Sequence, residues 1–228
     1  MPLPRVVAID GPAGSGKSVV AQALARRLGY FYYDTGALYR AVTFAALRAG
    51  LDLRDEAAVT RVAEGARLEL AEPTATDGRQ YTVLVDGIDA TWEIFRPEVE
   101  ANVSIVSAHP GVRQVLLRRQ REAAERGSVV MAGRDIGTVV YPEADLKLYL
   151  EATPEVRAER RVRQKQVQGV DVDYEEVLAQ IQQRDRLDQS RAVAPLRAAS
   201  DAIVIETSHL SLDEELQVIE GIIEGMDS

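Results

Sequence analysis

The chain has 228 residues, of which 46% are hydrophobic and 28% charged, with a formal net charge of −9 and no cysteine. This composition is typical of one globular α/β domain with room for an insertion. The negative charge and the few aromatic residues disfavour nonspecific binding to nucleic acid or a membrane, and the lack of cysteine excludes disulfides and thiolate metal sites. With no signal segment and no apolar run of roughly 20 residues, we expect a cytoplasmic protein that binds neither nucleic acid nor membrane.

The first predicted strand, Arg5 to Asp10, precedes a glycine-rich segment and a helix that ends near Leu28. The segment fits the pattern G-x-x-x-x-G-K-[ST] of phosphate-binding loops. Its glycines allow successive N–H groups to converge on phosphate oxygens at the positive end of the helix. We predict that Lys17 contacts the β- and γ-phosphates and that the Ser18 hydroxyl is a ligand of Mg²⁺. The residues predicted to bind the nucleotide are Gly11, Pro12, Ala13, Gly14, Ser15, Gly16, Lys17, Ser18 and Val19.

A second candidate anion site follows a short aromatic strand at residues 30–33. Asp34 and Thr35 come next and open a helical pattern that runs to Gly50. Either side chain can simply cap that helix. The other interpretation places Thr35 and Arg40 on a phosphate, because a hydroxyl at a helix start and an arginine one turn later can share one anion.

The apolar period changes to strict alternation from about Ala63 to Asp89, which indicates short antiparallel strands. We therefore predict an inserted antiparallel β-lobe at residues 63–90, within a core formed by residues 1–62 and 91–228. This lobe is expected to belong to the acceptor-binding region.

Two helices follow the predicted lobe, and Pro110 separates them. The run from Arg118 to Arg121 in the second helix is predicted to be a solvated face, as charged runs usually are. Arg113 is different because an arginine in the first turn of a helix opposes the helix dipole. This position makes Arg113 a candidate for contact with a ligand.

The remaining strands alternate with helices and are predicted at Ser128–Ala132, Leu146–Leu150 and Ala202–Glu206. Such alternation predicts a three-layer α/β fold in which a five-stranded parallel sheet carries helices on both faces. A helical lid is predicted at about residues 154–172.

A set of arginines lies at or just beyond the predicted strand ends or in the helical hairpin that is expected to fold over the phosphates. Phosphoryl transfer depends mainly on positioning and on neutralising negative charge, so arginines are the expected participants. Ligands bind at the carboxyl ends of parallel strands. The arginines are Arg40, Arg134, Arg157, Arg161, Arg184 and Arg191.

Several longer segments resemble those of bacterial cytidylate kinases of the long form, which carry an inserted β-lobe. The resemblance covers the chain nearly end to end, and its last two segments are specific to that family among phosphate-loop kinases. The segments are Ile9–Lys17, Asp34–Arg40, Leu116–Arg121, Gly133–Val140 and Arg184–Leu196. The resemblance implies a P-loop kinase fold and a monomer that transfers the γ-phosphate of ATP, assisted by Mg²⁺, to CMP or dCMP.

The resemblance also implies roles for individual residues. Contacts to the acceptor phosphate are implied for Thr35, Arg40, Arg134, Arg184 and Arg191. Cytosine recognition is implied for Ser104, Arg113 and Asp135, and contact with the sugar hydroxyls for Asp188. Arg157 and Arg161 resemble lid arginines that close over ATP, so the predicted catalytic residues are Lys17, Arg157, Arg161 and Arg184.

The chemistry of cytosine agrees with the implied base contacts. Its amino group is a donor that suits the carboxylate of Asp135, and its carbonyl and ring nitrogen are acceptors that suit Arg113 and Ser104. No general base is required, because the nucleophile is an ionised phosphate oxygen.

One position departs from the family pattern. An acidic residue that can hold a water of Mg²⁺ commonly precedes the Gly133–Asp135 segment, and this chain has Ala132 there. Asp34 is the candidate that could supply a carboxylate instead, or the phosphates and Ser18 could suffice.

Other functions are also compatible with a phosphate-binding loop. The first is another phosphate-loop kinase, of the UMP or shikimate type, and the segments Gly133–Val140 and Arg191–Leu196 oppose it. The second is a nucleotide-hydrolysing switch, which would need the guanine-recognising pattern N-K-x-D, absent from the chain. The sequence leaves open the preference between CMP and dCMP and any use of UMP.

Overall fold

The computed structural model describes residues 3–167, 169–190 and 194–226. Its strands are β1 Val6–Asp10, β2 Phe31–Asp34, β3 Leu68–Ala71, β4 Thr82–Val85, β5 Ile88–Asp89, β6 Val129–Gly133, β7 Leu146–Glu151 and β8 Ile203–Glu206. Its α-helices are α1 Lys17–Leu28, α2 Thr35–Arg48, α3 Glu56–Gly65, α4 Pro97–Val106, α5 Pro110–Arg126, α6 Pro154–Val167, α7 Tyr174–Ser190 and α8 Leu212–Gly225.

Within the described residues, a five-stranded parallel sheet has the order β2-β6-β1-β7-β8 and carries helices on both faces. A separate three-stranded antiparallel sheet has the order β3-β4-β5. The predicted fold class is therefore confirmed. No helix among these residues is both long enough and apolar enough to cross a membrane.

The chain divides into two compact units, Met1–Tyr30 with Val130–Ser228 and Phe31–Val129. The predicted division into a core and a lobe at residues 63–90 stays a prediction. The β3-β4-β5 sheet lies within that range.

The first unit is built on β1, all of whose residues are buried. β1 pairs in parallel with β7, with Val7 opposite Leu146 and Asp10 opposite Tyr149. Burial of both faces explains the continuous apolar run of this strand. The register brings Asp10, and the loop that follows it, to the carboxyl end of the sheet.

Helices α6 and α7 form a hairpin with a small apolar core of Ala158, Val177 and Ile181. This hairpin overlaps the predicted lid region, whose role as a lid stays a prediction. Val162, Val172, Tyr174 and Leu178 are partly buried and pack against this cluster, so the hairpin has a small apolar core of its own.

Helix α3 in the second unit was not predicted from the sequence. Asp55 caps it by accepting a hydrogen bond from the N–H of Ala58 (3.0 Å). Its buried residues, Ala58, Val59 and Ala63, are small. Such a short and weakly apolar stripe is hard to distinguish from a loop by periodicity.

The predicted solvated face on α5 is wrong for two of its four residues. Arg118 and Arg121 are exposed, but Gln120 is buried. Arg119 is half-buried and donates to the carbonyl oxygen of Ala66 (2.9 Å). A charged run on a helix samples every face, so part of it must turn toward the protein.

Arg79 ties the antiparallel sheet together through ionic hydrogen bonds. Its Nε donates to Asp77 Oδ1 (2.9 Å) and its guanidinium also donates to Asp89 Oδ2 (2.6 Å). Trp92 Nε1 donates to Asp77 Oδ2 (2.9 Å). The bonds from Arg79 and Trp92 lower the pKa of Asp77, and those from Thr91 and Arg79 lower the pKa of Asp89.

Replacing Arg79 with Met should raise the pKa of Asp77 back toward its ordinary value of 3.8. A carboxylate whose pKa is lowered by folding stabilises the fold above its ordinary pKa, and this stabilisation is lost as the pH falls through the folded value. We therefore expect the acid-induced change in fluorescence of Trp92, the only tryptophan, to occur at higher pH in R79M than in the wild type.

Arg67→Met is the matched control, because Arg67 is an exposed arginine of the same sheet region and pairs with Glu69. This variant should keep the wild-type midpoint. Equal midpoints in R79M and the wild type would contradict the assignment.

Candidate active site

The phosphate-binding loop lies between β1 and α1, and its glycines adopt positive φ angles: Gly11 +152°, Gly14 +78° and Gly16 +93°. A Cβ added at Gly11 would lie 2.1 Å from the carbonyl oxygen of Leu150. No side chain fits there, so the close approach of β1 and β7 requires glycine at this position. The predicted loop thus has the backbone that its sequence motif demands.

Side chains of the loop itself and of other parts of the first unit donate hydrogen bonds to the carbonyl groups of this loop. When the carbonyl groups of a loop point toward donors in the protein, its N–H groups point the other way. These N–H groups can then bind an anion. The hydrogen bonds run from Arg134 to Gly11 O (2.7 Å), Lys17 Nζ to Pro12 O (2.7 Å), Arg157 to Ala13 O (3.1 Å), Arg160 to Ser15 O (3.3 Å) and Thr207 Oγ1 to Ser15 O (3.2 Å).

The hydroxyl groups of the loop differ in their surroundings. Ser15 is fully buried, and its Oγ has no hydrogen-bond partner among the described residues. A buried hydroxyl in this state fits a site that a polar ligand completes. Ser18, by contrast, is exposed in the first turn of α1. The backbone N–H of the next residue, Val19, donates to Gly16 O (2.9 Å).

Arg134 and Asp135 follow β6, as predicted. Arg134 Nε lies 3.0 Å from Asp188 Oδ2, so the structure brings these two predicted site residues together. Asp188 and Asp135 are both buried. Asp10 also lies here, and burial raises its pKa to about 6 although two backbone N–H groups, of Ile136 and Gly137, oppose this rise.

Arg157 on α6 is buried and makes a two-pronged ion pair with Asp185 on α7. Its Nε also donates to the carbonyl of Ala152 (3.0 Å). The side chain therefore bridges the α6–α7 hairpin and the phosphate loop. Arg161, one turn later, is half-buried and donates to Gln164 Oε1 (2.8 Å).

Two further residues were predicted to contact the acceptor phosphate, Arg184 and Arg191. Arg184 is half-buried on α7. Arg191 lies outside the described residues.

In the second unit, the junction of α4 and α5 positions two of the predicted base-recognising residues. Arg113 is buried; it donates to Ser107 O (3.2 Å), and its guanidinium lies 5.6 Å from the centre of the Tyr39 ring. The Ser107 hydroxyl in turn donates to Ser104 O (3.2 Å). Arg113 is thus held against α2 rather than extended into solvent, despite its unfavourable place in the helix dipole.

The other predicted anion-binding residues of this unit lie on α2. Asp34 is the residue that caps the helix, through the N–H of Gly36 (2.9 Å). Its second oxygen accepts from the Tyr81 hydroxyl (3.0 Å), whose pKa is raised by burial and by Asp34 itself. Thr35 is buried at the start of α2.

Arg40 lies one turn into α2. Its guanidinium stacks 5.2 Å from the centre of the Phe95 ring and lies 3.7 Å from Glu100 Oε1. A cation over an aromatic face keeps a fixed direction without using all its hydrogen-bond donors. This arrangement is compatible with a further anionic ligand.

Sequence reasoning missed four residues that support the site: Asp10, Arg160, Asp185 and Thr207. Asp10 and Asp185 stand inside the segments that carry the family resemblance, next to predicted site residues, so proximity in sequence was an available signal. Arg160 and Thr207 meet only through folding, and no local pattern marks them.

A family model described as cytidylate kinase matches residues 7–228. The chain belongs to the cytidylate kinase family. It is 46% identical over 223 residues to a cytidylate kinase of Herpetosiphon aurantiacus, covering 98% of this chain and 96% of that protein. It is 48% identical over 215 residues to a cytidylate kinase of Desulforamulus reducens, covering 94% of this chain and 95% of that protein.

Among solved structures, a gluconokinase from Sinorhizobium meliloti matches with a TM-score of 0.51 at 15% identity, covering 99% of this chain and 95% of that one. At this identity the likeness shows the fold alone. Membership in the cytidylate kinase family means that a shikimate-type kinase and a nucleotide-hydrolysing switch are not favoured.

In this cytidylate kinase family member, Glu215 lies in the first turn of α8, close to Gly16 of the phosphate loop. It is buried, and its Oε1 lies 3.9 Å from the guanidinium of Arg160, which holds the Ser15 carbonyl. Burial raises the pKa of Glu215 to about 7, and the charge of Arg160 only partly opposes this rise. The acid is therefore destabilising when ionised.

Replacing Glu215 with Gln should change how stability depends on pH. With a pKa raised from 4.5 to about 7, the wild type loses stability as the pH rises through that window, and E215Q lacks this loss. We expect the melting temperature of E215Q relative to the wild type to increase between about pH 5 and about pH 7 and then to level off.

Glu214→Gln is the matched control. The adjacent Glu214 carboxylate accepts hydrogen bonds from Ser211, which lower its pKa, so it titrates below this window. The difference in melting temperature between E214Q and the wild type should therefore be the same at about pH 5 and at about pH 7. A constant difference between E215Q and the wild type would show that Glu215 titrates normally.

Proposed function

We propose that this protein transfers the γ-phosphoryl group of ATP to CMP and to dCMP, giving ADP and the nucleoside diphosphate. The observation that carries the proposal is a complete phosphate-binding loop in a chain that belongs to the cytidylate kinase family over residues 7–228. Phosphoryl transfer needs positioning and charge neutralisation more than covalent chemistry. This chain supplies both through its phosphate loop and its arginines.

The loop from Gly11 to Val19 binds the phosphates of ATP. Its positive-φ glycines and the first turn of α1 present backbone N–H groups, and no acidic residue occupies that turn. The ammonium of Lys17, which donates to Pro12 O in this structure, contacts the β- and γ-phosphates of bound ATP. The buried Ser15 hydroxyl, which has no partner among the described residues, gains one when the nucleotide is bound.

Arginines neutralise the charge that spreads over the transferred group. Arg157 and Arg161 on α6 act on ATP, and Arg184 on α7 acts between donor and acceptor. A guanidinium suits this role because it is always charged and donates in a fixed plane. Arg157 is already oriented by Asp185 and by the Ala13 carbonyl, which limits the reorganisation needed on binding.

The acceptor nucleotide makes three kinds of contact, to its phosphate, its base and its sugar. Its phosphate is bound by Thr35, Arg40, Arg134, Arg184 and Arg191, and its cytosine by Ser104, Arg113 and Asp135. Asp188 contacts the sugar hydroxyls. In support, Arg113 and Asp135 are buried, and buried ionisable groups discriminate strongly between donors and acceptors on a base.

Mg²⁺ fits the donor set of the loop. The exposed Ser18 hydroxyl is the kind of oxygen ligand that this ion takes, and phosphate oxygens supply most of the others. Within residues 3–167, 169–190 and 194–226, no cluster of three or more His, Cys, Asp or Glu side chains could hold a metal. When bound, Mg²⁺ neutralises charge on the phosphates; Asp34 remains the candidate for holding its water.

Two properties of the protein stay predictions. A cytoplasmic location and a monomeric state were expected from the sequence. Size-exclusion chromatography with light scattering at working concentration tests the second.

Lys17→Met should lower turnover by about 100-fold or more, because it removes the cation that stabilises the transferring phosphates. Binding of CMP, measured by calorimetry, should remain close to that of the wild type. A coupled assay of ADP release measures turnover. Arg26→Met, at the exposed last turn of the same helix, is the control; wild-type turnover in K17M would remove the assignment of the loop.

Asp135→Asn should relax the choice of base. The asparagine amide has only one oxygen that can accept from the cytosine amino group. Its NH₂ group can instead donate to the carbonyl oxygen of uracil. We expect the ratio of kcat/KM for CMP to that for UMP to fall about tenfold or more. An unchanged ratio would contradict the role of Asp135 in base recognition.

A further inference from the structure

Asp10 is the last residue of β1, and its side chain is almost completely buried. Its Oδ1 accepts the N–H of Ile136 (2.7 Å), and its Oδ2 accepts the N–H of Gly137 (2.8 Å). A buried carboxylate has lost its hydrogen bonds to water, and it is tolerated only where donors of the protein replace those bonds. Both oxygens of Asp10 are therefore committed to the segment after β6.

Ile136 and Gly137 begin a single π-helical turn, Ile136–Val140. The first N–H groups of a helical turn have no partner inside it and need a cap. Asp135 occupies the capping position but makes no side-chain capping bond. The distant Asp10 supplies the cap, so capping does not occupy the carboxylate of Asp135.

The segment is also held on the other side of Asp135. Arg134 donates to Gly11 O (2.7 Å) and pairs with Asp188 (3.0 Å). Residues before and after Asp135 are thus bonded to Asp10 and Gly11, where β1 passes into the phosphate loop. A shift of the backbone just after Asp135 would lengthen the bonds from Ile136 N–H and Gly137 N–H to Asp10.

We propose that Asp10 is a positioning residue for Asp135, and that its carboxylate sets the base-recognising side chain in fixed relation to the phosphate loop. This inference rests on the proposed role of Asp135 in cytosine recognition. Asp10 then influences the choice of base without contacting the nucleotide. It also links the acceptor-recognising segment directly to the start of the donor site.

The test is Asp10→Asn, which keeps the shape of the side chain but has a single acceptor oxygen. Its NH₂ group must face one of the two N–H groups, which replaces a hydrogen bond by a donor–donor contact. We expect the CMP/UMP ratio of kcat/KM to fall about tenfold and the KM for CMP to rise. The KM for ATP should change by less than about twofold.

Asp145→Asn is the matched control. Asp145 accepts the N–H of Val6 (2.9 Å), so it also anchors β1 through a carboxylate, but at the opposite end of the strand. A general weakening of β1 would lower the melting temperature in both variants. Only D10N should alter the CMP/UMP ratio; the same loss of ratio in D145N would overturn the inference.

A double-mutant cycle with Asp135→Asn separates the inference from the proposed function. If Asp10 acts through Asp135, D10N has no further effect on the CMP/UMP ratio in the D135N background. If D135N lowers the ratio but D10N does not, or if the two losses multiply, the positioning role is overturned. If D135N itself leaves the ratio unchanged, base recognition by Asp135 fails, and the inference fails with it.

Asp10→Glu provides a second variant should D10N not fold. It keeps both acceptor oxygens and the charge but displaces them by one methylene. The inference predicts a loss of the CMP/UMP ratio in D10E with a KM for ATP near the wild-type value. A folded D10E with the wild-type ratio would overturn it.

Discussion

A backbone loop that presents its N–H groups to a phosphate must turn its carbonyl groups away, and those carbonyls then need donors within the protein. In this chain the donors to the carbonyls of Gly11, Pro12, Ala13 and Ser15 include the cationic side chains of Arg134, Lys17, Arg157 and Arg160. These four side chains come from three places: the segment after β6, the loop itself, and α6, which contributes both Arg157 and Arg160. The need to satisfy these carbonyls is what connects the loop to the segment after β6 and to the α6–α7 hairpin.

The same arginines are oriented by carboxylates. Arg134 pairs with Asp188, and Arg157 pairs with Asp185. A guanidinium has five N–H donors in one plane, so it can serve a carbonyl and a carboxylate at once and keep its direction. A lysine could not do this with comparable geometry. Charges that are held in place before the nucleotide binds need little reorganisation during phosphoryl transfer, which is the main source of electrostatic catalysis.

The parts of the fold that were predictable from the sequence are those with strong local periodicity or punctuation. The five-stranded parallel sheet follows from apolar runs that alternate with helices. Helix α3 was missed because its apolar residues are small. Arg119 was assigned to solvent because the sequence does not indicate which face of α5 meets the carbonyl of Ala66.

For the site, local pattern was enough to place the phosphate loop, since its glycines, Lys17 and Ser18 are adjacent in the chain and their geometry follows from backbone sterics. The partners of each charged residue could not be obtained in this way. Asp10 meets Ile136 across 126 positions, and Thr207 meets Ser15 across 192. Such pairs form only when parallel strands bring their carboxyl ends to one edge. Motif and periodicity therefore establish the phosphate site and the fold class, whereas packing alone selects which carboxylates and arginines hold that site in shape.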